Sequence, residues 1–194
     1  MSMSMMRSYG GCQVDHECNC LLITHPKTLL QEKPAPQMAS FSSLWPNSLT
    51  PDILKPDISA PGLNILAAWS EASAPTLDPS DHRHVRYNVL SGTSMSCPHV
   101  TGIVALLRAL HPTWSAAAIK SAIMTSATHH DNSMQTIRNG SISEATPFNY
   151  GAGDVNPNAA ANPGLLYDTS PEDYFLFILW SRLQSIVCGK LDGQ

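Results

Sequence analysis

Residues 100 to 110 constrain the fold of this chain more than any other stretch. They read Val100-Thr101-Gly102-Ile103-Val104-Ala105-Leu106-Leu107-Arg108-Ala109-Leu110 and follow closely on a Gly92-Thr93-Ser94 turn. On a helix, Val100, Ile103, Val104, Ala105, Leu106, Leu107 and Leu110 point almost all round the axis. A helix of that kind is buried in a domain or in a membrane. The run is too short to span a bilayer, and Gly102 and Arg108 interrupt it, so a domain core is expected and no membrane partner. Leu106, Leu107 and Leu110 are therefore predicted to be buried. Pro98 is expected near the first turn, where a missing N–H costs least. Gly102 is expected to allow close packing.

The chain has 194 residues, enough for one domain with tails. Hydrophobic residues make up 43% and charged residues 13%, which permits a buried core. The net charge of −4 argues against a nucleic-acid partner. Met1 to Gly10 contain one arginine and no apolar central region, so they do not read as a signal peptide.

The chemistry suggested by the sequence centres on Ser94. A serine hydroxyl is a weak nucleophile until a base takes its proton and N–H groups receive the developing oxyanion. A serine at the mouth of a helix meets part of that need, because the first turn offers free N–H groups and a positive dipole end. The bland alternative is a capping serine without chemistry. The nucleophile elbow Gly-x-Ser-x-Gly of another hydrolase class is disfavoured, because Ser96 stands at the second glycine position. His99 does not suit the role of base. Five residues are roughly 500° of helical rotation, which leaves its side chain about 140° from that of Ser94. A structural hydrogen bond is expected for His99 instead.

Elsewhere the pattern predicts a strand at Tyr87–Leu90, a possible buried strand at 38–42 and another at 57–60. A polar surface loop is expected at 71–86. A second helix should start at Ser115 as N-cap, with Ile119, Ala122, Ile123 and Ala127 on one stripe. Residues 129–148 read as loop, and 171–183 as a last helix. Five cysteines stand at 12, 18, 20, 97 and 188. Cys12, Cys18 and Cys20 with His16 form a small cluster, but a single Cys-x-Cys after a lone cysteine is poor zinc spacing. No metal or other cofactor is expected. His82 and His84 read as loop residues, and the adjacent His129 and His130 as surface.

Several separate motifs stand in order along the chain. They are Phe41-Ser42-Ser43, Lys55-Pro56-Asp57-Ile58-Ser59-Ala60-Pro61-Gly62 and Ser91-Gly92-Thr93-Ser94-Met95-Ser96-Cys97-Pro98-His99. His111-Pro112-Thr113-Trp114-Ser115-Ala116, Tyr150-Gly151-Ala152-Gly153 and Asn156-Pro157-Asn158 follow, and Pro163-Gly164-Leu165-Leu166-Tyr167-Asp168 comes last. Together they resemble the subtilisin-like serine proteases, or subtilases, of the plant type, over roughly residues 22 to 180. The resemblance implies an α/β fold, a partial subtilisin-like domain with a mostly parallel sheet flanked by helices. It divides the chain into an unassigned, disordered leader at 1–21, the C-terminal part of a catalytic domain at 22–180 and a tail at 181–194. It implies a serine endopeptidase acting on protein or peptide substrates through Ser94. It also implies a family that is usually secreted.

The sequence departs from the family in several places. The Asp-Thr/Ser-Gly and His-Gly-Thr-His segments of the family's triad are not found, nor is its oxyanion asparagine segment. In the family's order all three precede residue 22. Asp15-His16 lacks that context and carries no role. Leu44-Trp45 stand where plant subtilases carry Arg-Gly, and Asp154 where the family commonly has histidine. Two functions therefore stand side by side: a serine endopeptidase whose chain is inactive alone, and a non-catalytic remnant that binds a peptide or a partner.

Overall fold

The computed structural model describes residues 33–43, 46, 51–76, 78–140 and 143–191, with side chains through Ser181, and the backbone of four short strands nearer the N-terminus. Those strands are β1 (Ser8–Tyr9), β2 (Cys12–Val14), β3 (Leu21–Ile23) and β4 (Lys27–Thr28). β1 pairs with β4 and β2 with β3, both antiparallel.

The remaining strands are short and the helices dominate. β5 (Gln37–Met38) runs parallel to β8 (Arg138–Asn139), which pairs antiparallel with β9 (Ser143–Glu144). β6 (Ile65–Ala68) and β7 (Tyr87–Leu90) form an antiparallel ribbon in the register Ile65↔Leu90 to Ala68↔Tyr87. Isolated bridges join Ser59 to Asp154 in parallel and Thr128 to Asp154 antiparallel. Strand Tyr87–Leu90 forms as the sequence predicts. The segment 38–42 does not form a strand. β5 ends at Met38, the Ser42 N–H closes a turn on the Ala39 carbonyl at 3.0 Å, and Phe41 is exposed. The 57–60 segment contributes only the Ser59 bridge.

Helix α1 spans Thr93–Leu110. Pro98 is its sixth residue, in the second turn and so near the first, as the sequence suggests. Its missing N–H would have bonded the Ser94 carbonyl, so that carbonyl loses its helical partner. Arg108 lies in the last turn, where a cation suits the helix dipole, and its guanidinium donates to the Trp114 carbonyl. Helix α2 (Ala116–Thr125) starts at Ser115, whose hydroxyl accepts the Ala118 N–H at 2.9 Å. Its stripe is buried at Ile119, Ala122 and Ile123, as its spacing predicts. Two single-turn helices follow, α3 (Pro147–Tyr150) and α4 (Pro157–Ala160). Thr146 and Asn149 form a capping box at α3, and the Asn156 side chain accepts the Ala159 N–H at α4. α5 (Pro171–Leu191) is the last helix, with Glu172 and Asp173 in its first turn.

The main core joins three helices. Leu107 of α1, Ile119 and Ile123 of α2 and Ala160 of α4 are buried together, with Ile58, Val100, Ile103, Val104 and Trp114 packed against them. A smaller cluster holds Ile137, Ala145 and Tyr150 with Met38. The expected burial of all three α1 leucines fails. Leu107 is 2% exposed, but Leu106 and Leu110 are 66% and 63% exposed. α2 and α4 cover a single stripe of α1, and its opposite side faces solvent.

That asymmetry predicts unequal costs on truncation. Leu107→Ala should lower stability by about 2–5 kcal/mol, as cavity-forming substitutions in cores do. Leu106→Ala should leave it within about 0.5 kcal/mol. Urea midpoints of the two variants check this, and equal losses would contradict the one-sided packing.

Candidate active site

β7 leads through Ser91 and Gly92 directly into α1, and residues 60–64 clasp that entry. Gly92, in extended backbone, donates its N–H to the Gly62 carbonyl at 2.8 Å. The Ser91 hydroxyl accepts the Asn64 N–H at 2.8 Å. Inside the first turns, the Ser96 hydroxyl donates to the Ala60 carbonyl at 2.9 Å. Gly62 lies under this junction. A Cβ there would stand 2.4 Å from Ser96 Oγ and 2.8 Å from the Gly92 carbonyl oxygen, so any side chain must push the turn away.

This clasp sets Ser94 as the second residue of α1 with its side chain exposed. Among the described residues no hydrogen bond reaches its hydroxyl. The Thr93 and Ser94 N–H groups belong to the first turn and have no partner within the helix. The hydroxyl therefore sits beside free donors at the positive end of an 18-residue helix.

Three of the described histidines hold hydrogen bonds away from Ser94. His99 Nδ1 lies 2.8 Å from the Met95 carbonyl oxygen one turn back, the structural hydrogen bond its spacing predicts. His84 Nδ1 meets the Glu71 carbonyl at 2.6 Å. His111 stacks on Trp114 with ring centroids 3.7 Å apart, and its Nε2 meets the Ala161 carbonyl. His82, His84, His129 and His130 are exposed, as expected. Among the described residues no group of three or more His, Cys, Asp or Glu side chains could hold a metal ion. The Cys12, His16, Cys18 and Cys20 cluster, the Asp15-His16 pair and Leu44-Trp45 fall outside the described side chains.

The other face of the clasp is a ladder that ties residues 57–59 to the Tyr150–Gly153 motif. The Ala152 N–H donates to the Asp57 carbonyl, Ser59 N–H to the Gly153 carbonyl and Val155 N–H to the Ser59 carbonyl, at 2.9–3.0 Å. Gly151 has φ 66°, and a Cβ there would come within 2.2 Å of the Pro56 carbonyl oxygen, so the position requires glycine. Lys55 and Lys120 bond the Asp57 carboxylate at 2.7 and 3.0 Å. Burial pushes that carboxyl up, but the two lysines outweigh it and hold its pKa below the ordinary value. Beside this ion pair an open cavity of about 540 Å³ lies along the packed α1–α2 contact, lined in part by Val100, Val104, Ile119 and Ile123. Ser94 does not line it.

Asp154 sits in the middle of the ladder, exchanging N–H···O bonds with Thr128 at 2.8 and 2.9 Å. Burial pushes its carboxyl up to about 7, against a small opposing contribution from the Val155 N–H. Neither the ladder nor the clasp was foreseen from sequence, because Gly62 and Ser96 act through contacts to backbone groups distant in the chain. Asp154 was visible only as a departure from the family pattern.

The raised Asp154 pKa sets the sign of a pH effect. The folded chain holds the proton more tightly than the unfolded one, so this group's stabilising contribution is complete below about pH 4 and is lost as pH rises towards 7. Asp154→Asn should therefore unfold at a higher temperature than the parent. The gap should widen between about pH 4 and 7 and level off above that. Thermal melts across this range check the claim, and a constant gap would refute it.

With this geometry in place, comparison with known proteins identifies the chain's relatives. The model of the subtilase family (Peptidase_S8) matches residues 12–153. Subtilisin-like protease SBT5.4 of Arabidopsis thaliana is 54% identical over 156 residues, covering 80% of this chain and 20% of its own length. Subtilisin-like serine-protease S of Lotus japonicus is 55% identical over 168 residues, 86% of this chain and 22% of that protein. Among solved structures, fervidolysin from Fervidobacterium pennivorans is 26% identical with a TM-score of 0.41, over 57% of this chain and 16% of that one. The chain spans about a fifth of the length of the curated relatives it matches. Its strands and helices make it a partial α/β domain, and it belongs to the subtilase family of serine-type proteases.

Proposed function

We propose that this chain carries the nucleophile segment of a serine endopeptidase acting on protein or peptide substrates, with Ser94 as nucleophile. The observation that carries this is the exposed Ser94 hydroxyl beside two free N–H groups at the start of α1, held by the Gly62–Gly92 and Ala60–Ser96 bonds. In the reaction, Ser94 Oγ bonds to the scissile carbonyl carbon while its proton passes to a base. The Ser94 N–H helps to hold the resulting oxyanion. Collapse of that intermediate breaks the C–N bond, and the base returns the proton to the departing amine. Water then hydrolyses the acyl-Ser94 ester. The Ser96–Ala60 bond would keep the first turn from rotating as the serine carbon changes its surroundings.

The base and its orienting carboxylate do not come from the described residues. His99 is turned away along the helix and bonded to Met95, and the other described histidines are engaged elsewhere or lie on the exposed loops. The family's Asp and His segments are likewise not found in the sequence. The isolated chain is therefore inactive as an ordinary peptidase. Without its base the serine keeps a high pKa, and oxyanion stabilisation alone leaves about a 10³–10⁴-fold advantage over water.

Incubating the purified chain with casein and with a fluorogenic peptide, beside Ser94→Ala, tests both statements. The expected result is no turnover distinguishable between the two proteins. Serine-dependent turnover at about 1 s⁻¹ or faster, an ordinary enzyme rate, would overturn the expected inactivity of the isolated chain.

A further inference from the structure

Helix α5 carries seven consecutive apolar residues, Tyr174-Phe175-Leu176-Phe177-Ile178-Leu179-Trp180. All but Phe177 are exposed, from 44% at Leu179 to 62% at Phe175 and Leu176. Neither core cluster includes a residue of α5. So many large apolar side chains left together in water mark a surface that takes a partner. The sequence adds a second pattern to this exposure. Leu176, Leu179, Leu183 and Ile186 recur along the helix at alternating steps of three and four. That is the a/d spacing of paired helices, in which the stripe of one helix packs into the stripe of the other.

We infer that α5 pairs with α5 of a second copy of this chain, antiparallel and about an axis at Ser181. Charge selects both the occupant and the direction. Glu172 and Asp173 stand in the first turn of α5 and Lys190 in its last. Centred on Ser181, an antiparallel pair sets Leu176 opposite the partner's Ile186 and Leu179 opposite the partner's Leu183. The same register sets Glu172 opposite the partner's Lys190. One alignment therefore matches the apolar layers and closes both ends with opposite charges. A parallel pair keeps the layers but sets Glu172 against Glu172 and Lys190 against Lys190. Phe175 and Trp180 flank the stripe at its two borders and widen the contact, while Tyr174 and Ile178 stay on the outer side. Arg182 stands near its own copy beside the axis, the one like-charge pair of the register. A lipid surface fits less well, because an interfacial helix needs a strongly basic face and α5 has only Arg182 and Lys190. The pairing does not rest on the role of Ser94, which belongs to α1.

Sedimentation velocity of the full chain over a range of concentrations tests the pairing, and a concentration-dependent dimer is expected. Leu179→Glu should weaken it about a hundredfold or more, since it places a charge in the apolar layer of each copy. Circular dichroism should show that variant folded, because Leu179 belongs to neither core cluster. Glu172→Lys alone and Lys190→Glu alone should each weaken the dimer about tenfold, and the two combined should restore it. Neither single change should alter a parallel pair, in which like charges face each other before and after. A monomer at every concentration, or self-association that Leu179→Glu leaves unchanged, overturns the pairing. Charge variants that weaken nothing, or that the double variant fails to rescue, overturn the antiparallel register and the proposal with it. A monomer that floats with vesicles of phosphatidylcholine and phosphatidylserine also overturns it, by assigning α5 to a lipid surface.

Discussion

The segment from Asp57 to Gly62 is the constraint on which the rest of the structure depends. It has no helix and hardly any strand, yet its carbonyls receive hydrogen bonds from both halves of the chain. Asp57 and Ser59 accept from Ala152 and Val155 on one side, and Ala60 and Gly62 accept from Ser96 and Gly92 on the other. Each bond contributes about 1 kcal/mol, but leaving a buried partner unpaired would cost more. The segment therefore fixes the start of α1 relative to the Tyr150–Val155 ladder. Glycine at 62 and 151 follows directly, because backbone passes where a Cβ would stand. The lysines that flank Asp57 hold the beginning of the same segment from its side-chain face.

From that anchor the position of Ser94 follows with little further input. β7 delivers the chain to the clasp, Gly92 passes in extended form, and α1 begins at once. The apolar stripe of α1 then packs on α2 and α4, so the helix cannot turn about its axis without opening the core. Ser94 is held by packing at one end of the helix and by hydrogen bonds at the other. This preorganisation costs nothing at the moment of reaction, which is what an oxyanion site requires. It does not supply a proton acceptor. Under the proposed function, the geometry separates two requirements of nucleophilic catalysis, a placed nucleophile and an activated one, and placing Ser94 would meet only the first.

Much of this was legible in the sequence, and the failures have physical causes. α1, α2 and α5, the Ser115 cap and strand Tyr87–Leu90 could be read because periodicity and capping are local signals. The hydrogen bond of His99 could be read because helical rotation is fixed. Burial of Leu106 and Leu110 could not. An all-round apolar helix says that it needs cover on every side, but not where that cover comes from. The 38–42 strand failed because β5 finds a partner for only two residues before the chain turns. The clasp and the ladder escaped notice because they join residues about 30 to 95 positions apart, mostly through backbone atoms, and contacts that distant leave no local pattern in the sequence.

Amide hydrogen exchange on the full chain tests the anchoring role of the Asp57–Gly62 segment most directly. The Ser59, Gly92, Ala152 and Val155 amides donate across the clasp and ladder, while those of Thr93 and Ser94 have no helical partner. The account predicts slow exchange for the first four, opening together as one cooperative unit, and fast exchange for Thr93 and Ser94. If Gly92 and Ser59 exchange as fast as Ser94, or if the clasp and the ladder open independently, the Asp57–Gly62 segment does not hold Ser94 in place.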